Sequence, residues 1–231
     1  MGIQSEAVIA VVPAAGIGRR MGAQIPKQYL MLNEQSILAH TLDCLLSHPQ
    51  ICQVVVALHP DDNYFHTLPQ SQHPQLCQVV GGGERADSVL AALHEVDEGA
   101  WVLVHDAARP CLSHDDIDKL LLARQQFPQG VILGSPVRDT MKRSTGRQQI
   151  CETVSRDHLW HALTPQCFRA GSLKRNITLA LSQKIAITDD ASAMEWAGTS
   201  PGIIEGRADN IKVTHPNDLA LASLFLDNLL K

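Results

Sequence analysis

The chain has 231 residues, 45% hydrophobic and 19% charged, which is the length of one domain with an appendage and the composition of a globular protein rather than a disordered, collagenous or membrane-spanning one. Nineteen Lys and Arg against 24 Asp and Glu leave a formal charge of -5, which argues against a general nucleic-acid or acidic-membrane binder, since either needs an excess of cations over phosphate. Any basic chemistry must therefore be local.

In chain order, short apolar runs without alternation recur at Ala7–Val12, Val54–Leu58, Leu76–Val80, Trp101–Val104 and Val131–Leu133, as expected of strands buried on both faces of a parallel sheet. Between them lie segments of helical period. Residues 36–46 carry Ile37, Leu38, Leu42, Leu45 and Leu46, and residues 85–96 carry Val89, Leu90, Leu93 and Val96. Ser36 and Ser113 read as N-caps, and Asp115, Asp116 and Asp118 load the start of a helix where its dipole favours negative charge. Strand alternating with helix predicts an α/β fold, a Rossmann-like doubly wound and mostly parallel sheet.

The pattern breaks between Pro136 and Pro165, where polar residues surround the β-prone pieces Gln149–Val154 and His158–Leu163. Such an insertion has too little apolar face for a core of its own, so residues 136–165 are expected to form a β-hairpin arm packed on another subunit, within a single domain of residues 1–231. Helical period returns near Leu173–Leu181 and Asp190–Trp196. The chain then runs through Gly202–Glu205 and Ile211–Val213 into a last helix, with Pro216 near its first turn and Ala220, Leu221, Leu224 and Leu229 on its expected apolar side.

Six cysteines lie far apart, with no C-x-x-C and no zinc-ligand spacing to histidine, which reads as reduced thiols. No basic segment followed by an apolar stretch opens the sequence, and no run approaches the ~20 apolar residues of a membrane span. A cytoplasmic protein without membrane or nucleic-acid partners is expected.

The most informative stretch is Pro13-Ala14-Ala15-Gly16-Ile17-Gly18-Arg19-Arg20-Met21, leaving the first strand. Small residues there let backbone N–H groups approach an anion, and Arg20 adds a charge-assisted bond. The dinucleotide fingerprint fails, because Met21 stands where its third glycine belongs, and no Gly-Lys pair supplies a Walker loop. Pro26-Lys27 follows, so that Arg20 and Lys27 offer two cations to a polyphosphate.

A-A-G-x-G-x-R-M followed by P-K resembles the signature of nucleotidyltransferases that join a sugar or polyol phosphate to a nucleotide. Further blocks follow in order: Gly81-Gly82-Gly83-Glu84-Arg85-Ala86-Asp87-Ser88, His105-Asp106-Ala107-Ala108-Arg109-Pro110, Pro136-Val137-Arg138-Asp139-Thr140, Thr188-Asp189-Asp190-Ala191-Ser192 and Glu205-Gly206-Arg207-Ala208-Asp209-Asn210-Ile211-Lys212. Together they cover nearly the whole chain and resemble the 2-C-methyl-D-erythritol 4-phosphate cytidylyltransferases of the non-mevalonate isoprenoid pathway.

The resemblance implies roles. Pro13, Ala14, Ala15, Gly16 and Gly18 would wrap the phosphates of CTP, with Gly81, Gly82, Arg85, Ser88 and Ala107 completing the nucleotide site. Gly83 departs from the Asp that close relatives often carry. Asp106 and Asp209 would hold Mg²⁺. Thr140, Arg109, Thr164 and Thr188 would surround the methylerythritol phosphate. Arg20, Lys27, Arg156 and Lys212 would act on the reacting phosphates, Arg156 reaching the neighbouring subunit's site in a homodimer. Two readings stand beside it: a cytidylyltransferase for another polyol phosphate such as ribitol 5-phosphate, and a nucleotide-binding module without turnover. A nucleotide-sugar glycosyltransferase would show Asp-x-Asp, of which residues 105–108 hold one carboxylate.

Overall fold

A computed structural model describes residues 6–16 and 25–229 of the chain; the expected site residues Gly18 and Arg20 lie outside the described residues. The elements in order are β1 (Val8–Pro13), β2 (Met31–Leu32), β3 (Gln35–Ser36), α1 (Ile37–Leu46), β4 (Ile51–Leu58), β5 (Leu76–Val80), α2 (Arg85–Leu93), β6 (Trp101–Val104) and α3 (His114–Ala123). They continue with β7 (Val131–Pro136), β8 (Met141–Ser144), β9 (Ile150–Val154), β10 (Trp160–Arg169), α4 (Ala170–Ser182), α5 (Asp190–Trp196), β11 (Gly202–Glu205) and α6 (Pro216–Leu229).

Seven strands form one sheet in the order β11-β7-β10-β6-β1-β4-β5. Only β10 runs against its neighbours β6 and β7, so the expected mostly parallel α/β fold is found. Successive side chains of a strand face opposite ways. In β1, Val8, Ala10 and Val12 join Leu38, Leu42, Ile117 and Leu120 from α1 and α3. Ile9 and Val11 join Val89, Leu93, Leu173 and Ile177 from α2 and α4 on the other face. Both faces are covered, which is why the sequence runs apolar without alternation.

Ser36 and Ser113 cap α1 and α3, each side chain accepting from the backbone N–H three residues on, at 3.2 and 3.3 Å. No helix among the described residues is long and apolar enough to cross a membrane. All six cysteines are unpaired; Cys111 and Cys167 are buried and Cys52 and Cys151 exposed.

Two expectations are corrected. His158–Leu163 is not part of a hairpin: the strand begins at Trp160, continues to Arg169 and lies inside the main sheet, while the separate hairpin is β8 paired with β9. The apolar side of α6 is Ala222 and Leu226, packed with Ile37, Ala108 and Val213, with Leu219, Phe225 and the expected Leu229 partly buried beside them. Ala220, Leu221 and Leu224 are exposed, Leu221 and Leu224 to 48% and 56%, because α6 turns toward the β2–β3 turn and the 108–111 loop instead.

Candidate active site

From β1 the chain builds β4 and β5 to one side, then returns to place β6 on the other. Open α/β sheets bind ligands beyond the carboxyl ends of the strands at such a reversal. Here residues 14–16 leave β1 and residues 105–108 leave β6, and between them opens a cavity of about 300 Å³. Its walls are residues 13–16, Lys27, Gln28, residues 82–85, Ser88, residues 106–108 and Lys212. A second cavity of about 280 Å³ is lined by Arg85, Asp106, Arg109, residues 162–164, Gln166, Thr188, Asp189 and Lys212. Arg85, Asp106 and Lys212 belong to both.

Glycine is required where the two loops of the first cavity meet. A Cβ on Gly81 would stand 2.7 Å from the Ala15 Cβ and 2.8 Å from the Ser88 Oγ, and one on Gly82 would stand 2.3 Å from the Asp87 Cβ. The Gly82 N–H donates to the Ser88 Oγ at 3.2 Å, and Glu84 and Asp87 close a capping box over the first turn of α2. Across the cavity, the Gln28 amide donates to the Ala14 carbonyl at 2.7 Å, fixing the turn after β1. The Lys27 ammonium donates to the Val213 carbonyl at 3.0 Å, and the Val213 N–H donates to Ala108 O at 2.8 Å. The lysine is thereby tied to the loop that carries Lys212.

Asp106 is the hub. Its Oδ1 lies 2.9 Å from Arg85 Nε, and its Oδ2 lies 2.9 Å from Lys212 Nζ and 3.6 Å from Arg109 Nε. Burial alone would raise the Asp106 carboxyl, but the Arg85, Lys212 and Arg109 cations overcome it and hold it well below the usual carboxylate range. Behind it, Thr164 Oγ1 accepts from the Asp106 N–H at 3.1 Å and contacts His105 Nδ1 at 3.0 Å. Asn210 donates to Thr164 O at 2.7 Å, and Arg109 donates to Asn210 O at 2.7 Å. The 205–213 loop is thus laced to the end of β6.

Of the residues expected to bind a nucleotide, Pro13, Ala14, Ala15, Gly16, Gly82, Arg85, Ser88 and Ala107 line the first cavity, while Gly81 stands behind it, donating to Leu58 O at 2.7 Å. Arg109, Thr164 and Thr188, expected around an acceptor, line the second. Thr140 and Arg156 line neither; Arg156 is exposed and its guanidinium bonds to Arg138 O. Gln28, Glu84 and Ala108 line the first cavity unexpectedly. They act there through backbone shape or a local bond, which no residue-type signal announces.

Asp209 lies outside both linings and forms an ion pair with Arg207 through two bonds, Arg207 Nε donating to Oδ1 at 2.9 Å. Among the described residues no group of three or more His, Cys, Asp or Glu side chains could hold a metal. Mg²⁺, however, is commonly held by one or two carboxylates together with substrate phosphates and water. Three carboxylates line the cavities, Glu84, Asp106 and Asp189. Asp106, on the shared wall, is the one placed to hold such an ion together with substrate phosphates, and Asp209, outside both linings, is not.

Residues 8–228 match the family model of 2-C-methyl-D-erythritol 4-phosphate cytidylyltransferase, IspD. The chain is 68% identical over 223 residues to the protein of that name from Shewanella halifaxensis, covering 96% of this chain and 97% of the relative. It is 67% identical over 222 residues to that of Shewanella piezotolerans, covering 96% of each. The crystal structure of the Francisella tularensis 2-C-methyl-D-erythritol 4-phosphate cytidylyltransferase superposes with a TM-score of 0.82 at 34% identity, covering 95% of this chain and 99% of that one. With the resembling blocks arranged around two adjoining cavities at the reversal of the sheet, the chain belongs to the 2-C-methyl-D-erythritol 4-phosphate cytidylyltransferase family.

Proposed function

We propose that the chain transfers the cytidylyl group of CTP to 2-C-methyl-D-erythritol 4-phosphate, giving 4-diphosphocytidyl-2-C-methyl-D-erythritol and pyrophosphate. It is a nucleotidyltransferase. The observation that carries the reading is the pair of cavities sharing Arg85, Asp106 and Lys212. A nucleotide in one and a phosphorylated polyol in the other meet at that shared wall.

A phosphate monoester has a second pKa of about 6, so at neutral pH the acceptor is mostly a dianion and needs no general base. Its oxygen forms a bond to the α-phosphorus of CTP as the bond from that phosphorus to the bridging oxygen of pyrophosphate breaks. Negative charge gathers on the equatorial and leaving oxygens, so preorganised cations dominate catalysis. Lys27, in the lining of the first cavity, faces the nucleotide phosphates, and Arg20 is the second cation that the family resemblance assigns to them. Lys212 offsets the repulsion between the two anions and, with Arg109, Thr164 and Thr188, holds the acceptor in line. Mg²⁺, when bound at Asp106 with substrate oxygens and water, supplies further charge neutralisation on the nucleotide phosphates. Residues 14–16 wrap the nucleotide phosphates, and the cytosine meets Gly81 and Gly82 by close backbone approach, with the Ser88 hydroxyl beside them.

Thr140 and Arg156 act on the acceptor of a neighbouring subunit, which makes a homodimer part of the site. The two-stranded β8–β9 sheet supports this reading, since it stands apart from the main sheet and an isolated hairpin is marginal in water. Six unpaired cysteines, two of them exposed, fit a reducing cytoplasm.

Incubation with CTP, methylerythritol phosphate and Mg²⁺ is expected to release pyrophosphate and an equal amount of a cytidine diphosphate ester identified by mass. Release with CTP alone, or none with both substrates, would contradict the reading. Lys27→Ala is expected to lower kcat by about 100-fold, equivalent to roughly 3 kcal/mol of transition-state stabilisation. Wild-type kcat in that variant would remove Lys27 from the chemistry.

A further inference from the structure

The Thr188–Ser192 block gives Thr188 and Asp189 to the acceptor cavity, but Asp190 lines neither cavity. It is 1% exposed at the start of α5; its Oδ2 lies 2.7 Å from Arg85 Nη2, and its Oδ1 is buried without a hydrogen-bond partner. Arg85 is equally out of place locally, being a cation at the first residue of α2, where the helix dipole disfavours it. A half-satisfied buried carboxylate and a cation at a helix N-terminus are poor choices for stability. Residues that break local rules concentrate at functional sites.

Arginine and carboxylate pair best as a two-bond fork. Arg85 does not form that fork. It spends Nε on Asp106 Oδ1 and Nη2 on Asp190 Oδ2, one bond to each, which leaves Asp106 Oδ2 to Lys212 at 2.9 Å. We propose that Asp190 is a positioning residue for cytidylyl transfer: by holding one arm of Arg85 it keeps the guanidinium from closing on Asp106, and so keeps Lys212 seated on Asp106 at the wall common to both cavities. Around this wall Arg85, Arg109 and Lys212 all pair with Asp106, and Arg85 alone also pairs with Asp190. Without the Asp190 charge, Arg85 swings into the fork, competes for Oδ2 and displaces Lys212.

This assignment rests on the cytidylyl-transfer reading, so wild-type turnover is measured beside each variant. Asp190→Asn keeps size and an acceptor oxygen but removes the charge. It is expected to lower kcat at saturating CTP and methylerythritol phosphate by about 10- to 100-fold, the scale of a small misplacement of a catalytic group, with CTP affinity and melting temperature nearly unchanged. In an Arg85→Gln background, where no guanidinium can close on Asp106, the same substitution is expected to have no further effect. An equal fold-loss in both backgrounds, or wild-type kcat in folded Asp190→Asn, overturns the proposal while leaving the transfer reading intact. Absent wild-type turnover overturns both. Asp190→Ser, which suits a helix start, carries the same expectation if Asp190→Asn does not fold; failure of both variants to fold makes Asp190 a structural residue and rejects the proposal.

Discussion

Behind Asp106, a single imidazole carries the polar wiring of the site. His105 is wholly buried, its Nε2–H donates to Arg109 O at 3.0 Å, and its Nδ1 accepts from the Thr164 hydroxyl at 3.0 Å. Those partners fix the neutral tautomer, and burial pushes its pKa down to about 4. An unfolded histidine titrates near 6.5, so between that pH and 4 the unfolded chain binds the extra proton. The stabilisation from the neutral ring is therefore full above pH 6.5 and is lost as pH falls toward 4, about 2 to 3 kcal/mol by pH 4.5. Denaturant titrations at pH 7 and pH 4.5 should show a smaller acid loss in His105→Gln than in the wild type by about that amount. Equal losses in the two proteins would show that His105 does not carry the acid limb. The hub itself was legible in the sequence, because Asp106 ends an apolar run and so ends a buried strand. The pairing of Asp209 with Arg207, two residues away, was not, since nothing in a sequence chooses between a local ion pair and a metal.

At the scale of elements, the proposed nucleotide cradle brings the loops after β1 and β5 close together, and Gly81 permits it, since a Cβ there would stand 2.7 Å from the Ala15 Cβ. Adding a Cβ at Gly82 drives into Asp87, which closes the capping box of α2. Gly82→Ala is expected to raise KM for CTP at least about 10-fold with a stability loss of about 1 to 3 kcal/mol, the usual cost of overpacking. An unchanged KM for CTP would mean that the 82–85 loop does not meet the nucleotide. The strands of the sheet centre were readable because burial on both faces forces contiguous Val, Ile and Leu. β10 was not readable as one strand, since Trp160 to Ala162 pair with β7 before a register shift, and only Gln166 and Cys167 are paired on both sides. In α6 the apolar residues outnumber the places that bury them. Leu221 and Leu224 are as apolar as Leu226, and only the position of the 108–111 loop and the β2–β3 turn decides which go inward.

For the whole molecule, a net charge of -5 coexists with a site built around Lys27, Arg85, Arg109 and Lys212, so overall charge excluded a polyanion surface without excluding a nucleotide pocket. The arm proposed to serve a neighbouring subunit is the part whose hairpin stands outside the main sheet. Its β8–β9 hairpin exposes Ile150 to 67% and pairs only with itself. If the arm serves its neighbour, inactive Lys27→Ala and Arg156→Ala chains complement each other. Random mixing gives half of the dimers one site with both residues intact, so about a quarter of wild-type activity should return. No recovery on mixing would place Arg156 in its own subunit's site or outside the chemistry.

The central claim, cytidylyl transfer between a nucleotide cavity and a polyol phosphate cavity, is tested most directly by kcat/KM from pyrophosphate release. CTP, UTP, ATP and GTP are each paired with methylerythritol phosphate and with ribitol 5-phosphate. The account predicts that CTP with methylerythritol phosphate exceeds every other pair by about 100-fold or more, the discrimination available to a site that hydrogen-bonds its substrate. Equal or faster turnover with ribitol 5-phosphate, or with UTP in place of CTP, would contradict it.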